Sequence, residues 1–451
     1  MVGLDALVVV TALPSIHVDL RASLAEMQWT VNAYSLAWAG SITTAAALGD
    51  RYGRRWWFTI GLSLFAFASA ACALAPTMQF LVAARVVLGI GAGLIMPLSL
   101  TILTSAFGAE RRGTIVGIWG AIASIAVATG PLIGGAITQT LSWHWVFWLN
   151  VPLGVLVAVL SRRHLSESVG PPTRLDPIAV VLVSGGAVGI VFGLVQGSAL
   201  GWASAATIAS LSGGVVFTAC FVTWELRAPA PMLPMRLFRS VSFSAANTTG
   251  FFQSGAVFGG IFLVTQYFQL AVGNSPFETG LRLLPWTGGP LLFAPLAGAL
   301  SDRIGRRPLL VSGMLVQATS FVWFASLASM SVEYWRLAIP MALTGIGVAT
   351  VLPVAPTAAL SAVERADMGK ASGVNSTLQR FGGAFGVAVA TSVFGAFGNL
   401  GSPSGFVAGF GPAFTFVAVL AVFGGLAAFG VDKAPRALPR ASAALDLGSA
   451  G

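Results

Sequence analysis

Polar and apolar positions fall along this chain in long blocks, not with the period of two that marks half-buried strands. No Asp, Glu, Lys or Arg occurs between Glu26 and Asp50, Arg55 and Arg85, or Arg85 and Glu110. Single charge-free runs also separate Arg239 from Glu278, Arg282 from Asp302, Arg307 from Glu333, and Arg336 from Glu364. Three longer intervals, Arg112–Arg162, Asp176–Glu225 and Arg380–Asp432, each hold two runs. Their breaks fall at Ser142-Trp143-His144, Gly201-Trp202 and Gly401-Ser402-Pro403. A helix needs about 20 apolar residues to cross a bilayer, so with the short run at the start the pattern predicts about fourteen crossings. Runs that are continuously apolar, instead of alternating, exclude a barrel.

Composition points the same way. Of 451 residues, 56% are apolar and only 9% are charged, against about 25% in an ordinary soluble protein. A soluble domain cannot hide so much apolar surface behind so few charges. Cytosolic enzymes, secreted scaffolds and disordered chains are thereby excluded.

The net charge of +9 would indicate nucleic acid if it were clustered in a soluble domain, but here the basic residues come in short groups between apolar runs. Nineteen fall on one side of the predicted topology and three, Arg21, Arg282 and Arg336, on the other; Arg85 and Arg380 lie within spans. Positive residues stay inside, so both termini are expected in the cytoplasm. Cys72 and Cys220 fall near opposite faces of the bilayer, and no disulfide is expected. His17, His144 and His164 are scattered over loops and give no metal constellation. No G-x-x-x-x-G-K run is present, so ATP drive has no support and no cofactor is implied.

The first run is short. About 16 residues precede His17, fewer than the roughly 20 a crossing needs, and no basic segment leads into it. The expectation is that the chain begins late, which places Asp5 deeper in the native membrane than its number suggests.

An internal duplication sets the domain plan. Gly49-Asp50-Arg51-Tyr52-Gly53-Arg54-Arg55 recurs as Ser301-Asp302-Arg303-Ile304-Gly305-Arg306-Arg307, each in a tight turn on the basic side. Gly113 and Gly369, each opening a span, match at nearly the same offset. Two six-helix halves, 1–162 and 227–432, then flank a linker with two inserted helices, 163–226, and leave a tail, 433–451. Parallel repeats of this kind build transporters whose substrate site lies at the midplane between the halves. Gly53 and Gly305 supply a backbone conformation that bulkier residues resist. Asp50 is expected to face the positive N-terminus of span thirteen, near Ala371-Ser372, and Asp302 that of span five, near Gly113-Thr114. Together with Arg54 and Arg306 these contacts would close the cytoplasmic ends; the competing reading is charge anchoring alone.

This series of motifs resembles the fourteen-span drug:proton antiporters of the major facilitator superfamily, the EmrB/QacA type, over essentially the whole chain. The Asp50 turn matches the superfamily loop motif, with Ala46 where a glycine usually leads. Leu4-Asp5 through Ala12-Leu13-Pro14 is similar to the first-span motif, departing at Leu7 and Val10. Arg85 with Gly89 fits the fourth-span arginine motif, with Leu88 in place of glutamine. Gly130-Pro131-Leu132-Ile133-Gly134-Gly135 resembles the antiporter motif of span five. Trp143-His144-Trp145-Val146-Phe147 through Asn150-Val151-Pro152 is similar to the span-six signature, with His144 in place of arginine. Gln266-Tyr267-Phe268-Gln269 and Gly273-Asn274-Ser275-Pro276 through Leu284-Pro285 complete the likeness. The resemblance implies an all-α fold with two pseudo-symmetric bundles and two inserted helices. It also implies a bacterial cytoplasmic membrane and a proton-coupling role for Asp5.

The residues carry their own argument for these roles. Asp5 is the one acid placed within a span, and a carboxylate in hydrocarbon is costly unless protonated or paired. It is the candidate proton carrier; the alternative puts it at the wet interface. Arg85, roughly 10 Å into span four, cannot deprotonate and must pair with an anion, carbonyls or water; it either biases Asp5 or snorkels outward. Gly130, Gly134 and Gly135 let a neighbouring helix approach closely, and Pro131 kinks span five. Substrate contact is expected from Asn32, Tyr34, Phe252, Gln253, Gln266, Gln269, Trp286, Asn375 and Arg380. An aromatic, mostly neutral cavity suits amphipathic organic molecules, and one acid against two arginines argues against a dication. The expected protein is a monomeric carrier, not an enzyme, that exports amphipathic drugs or antibiotics against protons. The alternative is an exporter dedicated to an endogenous metabolite. A static sensor or scaffold would not need paired gates.

Overall fold

The computed structural model describes residues 1–106, 112–170, 176–229, 231, 233–364 and 367–432. The expected tail, 433–451, lies outside the described residues. Helices dominate. The first half contains α1 (Val2–Leu20), α2 (Leu24–Tyr52), α3 (Arg54–Ala73), α4 (Met78–Ala106), α5 (Arg112–Thr140), α6 (His144–Trp148) and α7 (Asn150–His164). An intervening pair follows, α8 (Pro177–Leu200) and α9 (Ala205–Arg227). The second half contains α10 (Val241–Gln266), α11 (Pro276–Thr287), α12 (Gly289–Ile304), α13 (Arg306–Leu327), α14 (Tyr334–Val351), α15 (Val354–Ser361), α16 (Met368–Phe397) and α17 (Pro403–Ala428).

The chain marks its helix starts with short polar side chains that satisfy otherwise unpaired N–H groups. Ser23 and Ser275 form capping boxes with Glu26 and Glu278. Ser204, Ser240 and Ser402 accept from backbone N–H groups three residues on, and Asp176 does the same for α8. Two of these caps, Ser204 and Ser402, lie at or beside the breaks within the longer apolar intervals. Three expected single spans are each built from two helices, one of them from α6 and α7. α11 gives way to α12 between Pro285 and Pro290, and α14 to α15 at Pro353, where proline removes a donor and crowds the preceding turn.

Within the first half α4 packs on α2 and α3, α5 on α1, and α7 on α3; within the second, α10 packs on α16 and α17, and α13 on α14 and α17. The halves meet along two seams, α5 with α11 and α2 with α16. α8 lies against both α2 and α16, and α9 packs on α8. Large apolar side chains such as Phe67, Leu74, Val181, Leu292 and Phe397 cover the outer surface, which suits a hydrocarbon surround instead of water.

Among the described residues, twelve helical segments are long and apolar enough to cross a membrane. The expectation was about fourteen. The two expected spans outside that set are α2 and α5, both 29 residues long. α2 has the lower mean apolarity because Gln28, Asn32 and a Ser/Thr-rich stretch interrupt it. Cys72 is buried, Cys220 exposed, and both are free.

Candidate functional site: a buried ion pair beside a cavity between the halves

α1 carries Asp5 against α4 at the level of Thr30 and Tyr34 on α2. Asp5 and Arg85 both have 0% exposure. Arg85 Nη1 donates to Asp5 Oδ2 at 2.5 Å, and Asn150 Nδ2 donates to Asp5 Oδ1 at 3.2 Å. Arg85 Nε donates to the Thr30 carbonyl at 2.8 Å. Its guanidinium lies 4.2 Å from the centre of the Tyr34 ring, an attractive cation–π placement. Arg85 is therefore inside the bundle and paired, not extended to an outer interface. The Tyr34 hydroxyl donates to the Val2 carbonyl at 3.2 Å. Behind Asn150, the Ser69 hydroxyl donates to the Phe147 carbonyl, tying α3 to α6. Asn150 and Ser69 have no place among the sequence-derived candidates; one neutral polar residue in an apolar run gives no charge signal, although Asn150 sits within the span-six motif.

Tyr34 and Trp38, one turn apart on α2, meet edge to face at 5.5 Å. Across the seam, the Arg380 guanidinium of α16 lies 3.5 Å from the centre of the Trp38 ring. Carboxylate, guanidinium, two aromatic rings and a second guanidinium thus form one chain of contacts, which ends at the wall of a cavity of about 230 Å³. The cavity is lined from both halves by Gly3, Ala6, Leu7, Trp38, Met96, Gln253, Phe258, Trp286, Val348 and Arg380, among others. Trp38 was missed from sequence, although its spacing from Tyr34 is the helical neighbour spacing.

Of the expected substrate residues, Gln253, Trp286 and Arg380 line this cavity, and the other six stand off its wall in this conformer. Phe252 packs against Phe251 and Phe423. Asn375 donates to Asn247 and accepts from Gln379. Tyr34 lies beneath Trp38, Asn32 and Gln266 are buried in their own halves, and Gln269 Nε2 donates to the Thr11 carbonyl of α1.

The glycines of α5 sit on the seams. A side chain at Gly130 would meet Leu7 of α1 at 3.2 Å, one at Gly134 would strike Thr11 and Val8, and one at Gly135 would strike Pro276 of α11. Gly280 of α11 faces the Pro131 carbonyl in return, 2.6 Å from its added Cβ. Gln139 Oε1 also accepts from the Phe277 N–H at 3.2 Å. At the arginine-poor end α5 and α11 are therefore joined by direct contacts between the halves.

At the basic end the duplicated turns are alike in backbone, with φ of 113° at Gly53 and 88° at Gly305. The expected cross-half contact of Asp50 is replaced. Its carboxylate pairs with Arg54 at 2.7 Å and its carbonyl accepts from Gly170, because the linker folds back over the turn. Arg306 donates to Ser361, within the second half. The side chain of Asp302 lies outside the described residues. Every ion pair described at this end joins residues of one half or its adjoining linker. Among the described residues, no group of three or more His, Cys, Asp and Glu is placed to hold a metal.

Comparison with known proteins bears on this geometry. The family model described as Major Facilitator Superfamily matches residues 1–273 and 246–448. The multidrug resistance protein Stp of Mycobacterium tuberculosis is 37% identical over 400 residues, covering 88% of this chain and 74% of that protein. The tetracenomycin C resistance and export protein of Streptomyces glaucescens is 36% identical over 86% of this chain and 72% of its own. The methylenomycin A resistance protein of Streptomyces coelicolor is 32% identical, over 96% and 90% respectively. A crystal structure of a POT family transporter in complex with 5-aminolevulinic acid shares the fold, with TM-score 0.68 and 18% identity over 94% of this chain and 91% of that one.

Proposed function

The chain belongs to the major facilitator superfamily, and on that premise we propose that it exports amphipathic drugs or antibiotics in exchange for protons by alternating access. Its relatives are multidrug and antibiotic resistance or export proteins, which supports efflux as the direction of transport. In this reading the basic end faces the cytoplasm, α2 and α5 cross the membrane with the twelve apolar segments, and the closed end faces outward. The conformer is then inward-facing: the α5–α11 seam is shut, and the inner ties stay within each half.

The observation that carries the coupling is the wholly buried Asp5–Arg85 pair, separated from the cavity by the edge-to-face rings of Tyr34 and Trp38. As a carboxylate, Asp5 needs Arg85 and Asn150 to compensate its charge in a dry site. A proton arriving at Oδ2 removes that requirement and leaves Arg85 cationic against Tyr34. The change in net charge beside Tyr34 and Trp38 biases which half-to-half seam is the more stable. Return of Asp5 to the carboxylate completes the cycle.

A dye-export assay in everted vesicles tests the drive. A protonophore should collapse export, whereas ATP depletion at a fixed proton gradient should leave it unchanged. Export that follows ATP instead would remove proton coupling from the account. Dedicated export of one self-made antibiotic is a second reading, favoured by relatives named for the export of tetracenomycin C and of cephamycin.

A further inference from the structure

Some polar groups on the cavity wall are already held: Thr287 donates to the Leu283 carbonyl and Gln379 to Asn375. Three wall residues that are at least nine-tenths buried carry a polar atom with no partner among the described residues: Trp38 Nε1, Trp286 Nε1 and Gln253 Nε2. All three are hydrogen-bond donors. The assignment for Gln253 is fixed by its neighbours: Gln317 Nε2 donates both to the Gly313 carbonyl and to Gln253 Oε1. That network orients both amides and leaves the Gln253 NH2 free. An indole N–H and a guanidinium can only donate.

Arg380 adds charge to this set. It lies against the face of Trp38 with no described hydrogen bond or ion pair, and no Asp or Glu lines the cavity. The one nearby acid, Asp5, is already held by Arg85 and Asn150. Buried donors without acceptors are costly, and a ligand that supplies acceptors recovers that cost. A cation entering the same cavity would meet Arg380 with no carboxylate to offset it.

Resting on the efflux reading above, we propose that the substrates are aromatic organic anions: flat molecules bearing a carboxylate, or an ionised phenol or enol, with further carbonyl acceptors. Arg380 binds the anionic group. The ring system stacks on Trp38 and Trp286, whose N–H groups, with that of Gln253, take the remaining oxygens.

Fluorescein and rhodamine 123 share a xanthene frame but differ in charge, and they make the test. The full chain, purified into proteoliposomes, should bind and export fluorescein at least about tenfold better than rhodamine 123, the factor expected of a hydrogen-bonded charge. Arg380→Gln should lose at least about tenfold of fluorescein binding, while Arg380→Lys retains part of it. Gln253→Glu leaves Arg380 in place but puts a carboxylate on the wall, and should shift the preference toward rhodamine 123. This variant keeps the test decisive if Arg380→Gln fails to fold. Wild-type protein that exports rhodamine 123 in preference to fluorescein overturns the anion assignment while efflux stands. Folded wild-type protein that exports neither overturns the efflux reading and this inference with it.

Discussion

At the scale of single residues, the ion pair between Asp5 and Arg85 is the most consequential contact in the molecule. Removing one partner of a buried pair leaves the other charge uncompensated, at about 3–5 kcal/mol, whereas removing both is far milder. Arg85→Gln should therefore lower thermal stability clearly, and the double variant Asp5→Asn/Arg85→Gln should recover most of that loss without recovering export. Equal melting temperatures for the single and double variants would show that the pair is not buried as described. Both residues were legible in sequence for one reason: charges are so rare in this chain that any within an apolar run stands out. Their partners were not legible. Asn150 is 145 positions from Asp5 along the chain and the Thr30 carbonyl 55 from Arg85, and only packing brings them together.

At the scale of elements, α5 mediates the seam. Gly130 and Gly134 seat it on α1, and Gly135 seats it on α11, so one helix links the span that carries Asp5 to the other half. Gly135→Leu would place a branched side chain where the Pro276 carbonyl sits, preventing closure at the arginine-poor end. Export should fall by at least about fivefold, the effect of an overpacked contact worth about 1–3 kcal/mol. A cysteine introduced at Ser254 of the cavity wall should then react faster with a membrane-impermeant maleimide added from that end. Unchanged reactivity would mean that α5 and α11 do not form a gate. The glycine run was visible in sequence, but which glycine touches which helix was not, since that depends on the rotation of α5. The Asp50 turn shows the opposite case. Its backbone was well anticipated by the duplicated glycines, yet its carboxylate pairs with Arg54, a local i,i+4 neighbour, instead of reaching a distant helix end.

At the scale of the whole molecule, the helical, membrane-spanning character of the described residues was readable from apolar runs and the spacing of charges. Kinks were harder, because a broken span such as α11–α12 has the same apolar length as a straight one. The charge carried per cycle also belongs to this scale. Exchange of a monoanion leaving for one proton entering moves two positive charges inward. An inside-negative potential set with valinomycin and potassium, with no pH difference, should then accelerate fluorescein export from vesicles. Export indifferent to potential would contradict either the anion assignment or the exchange of protons.

The central claim is that Asp5 is the group that couples protons to movement of the substrate. It is tested most directly by comparing two transport modes in proteoliposomes carrying Asp5→Asn. Uphill export driven by a pH gradient should be abolished, while substrate-for-substrate counterflow, which needs no net proton transfer, should persist. Gradient-driven export at the wild-type rate in that variant would contradict the account.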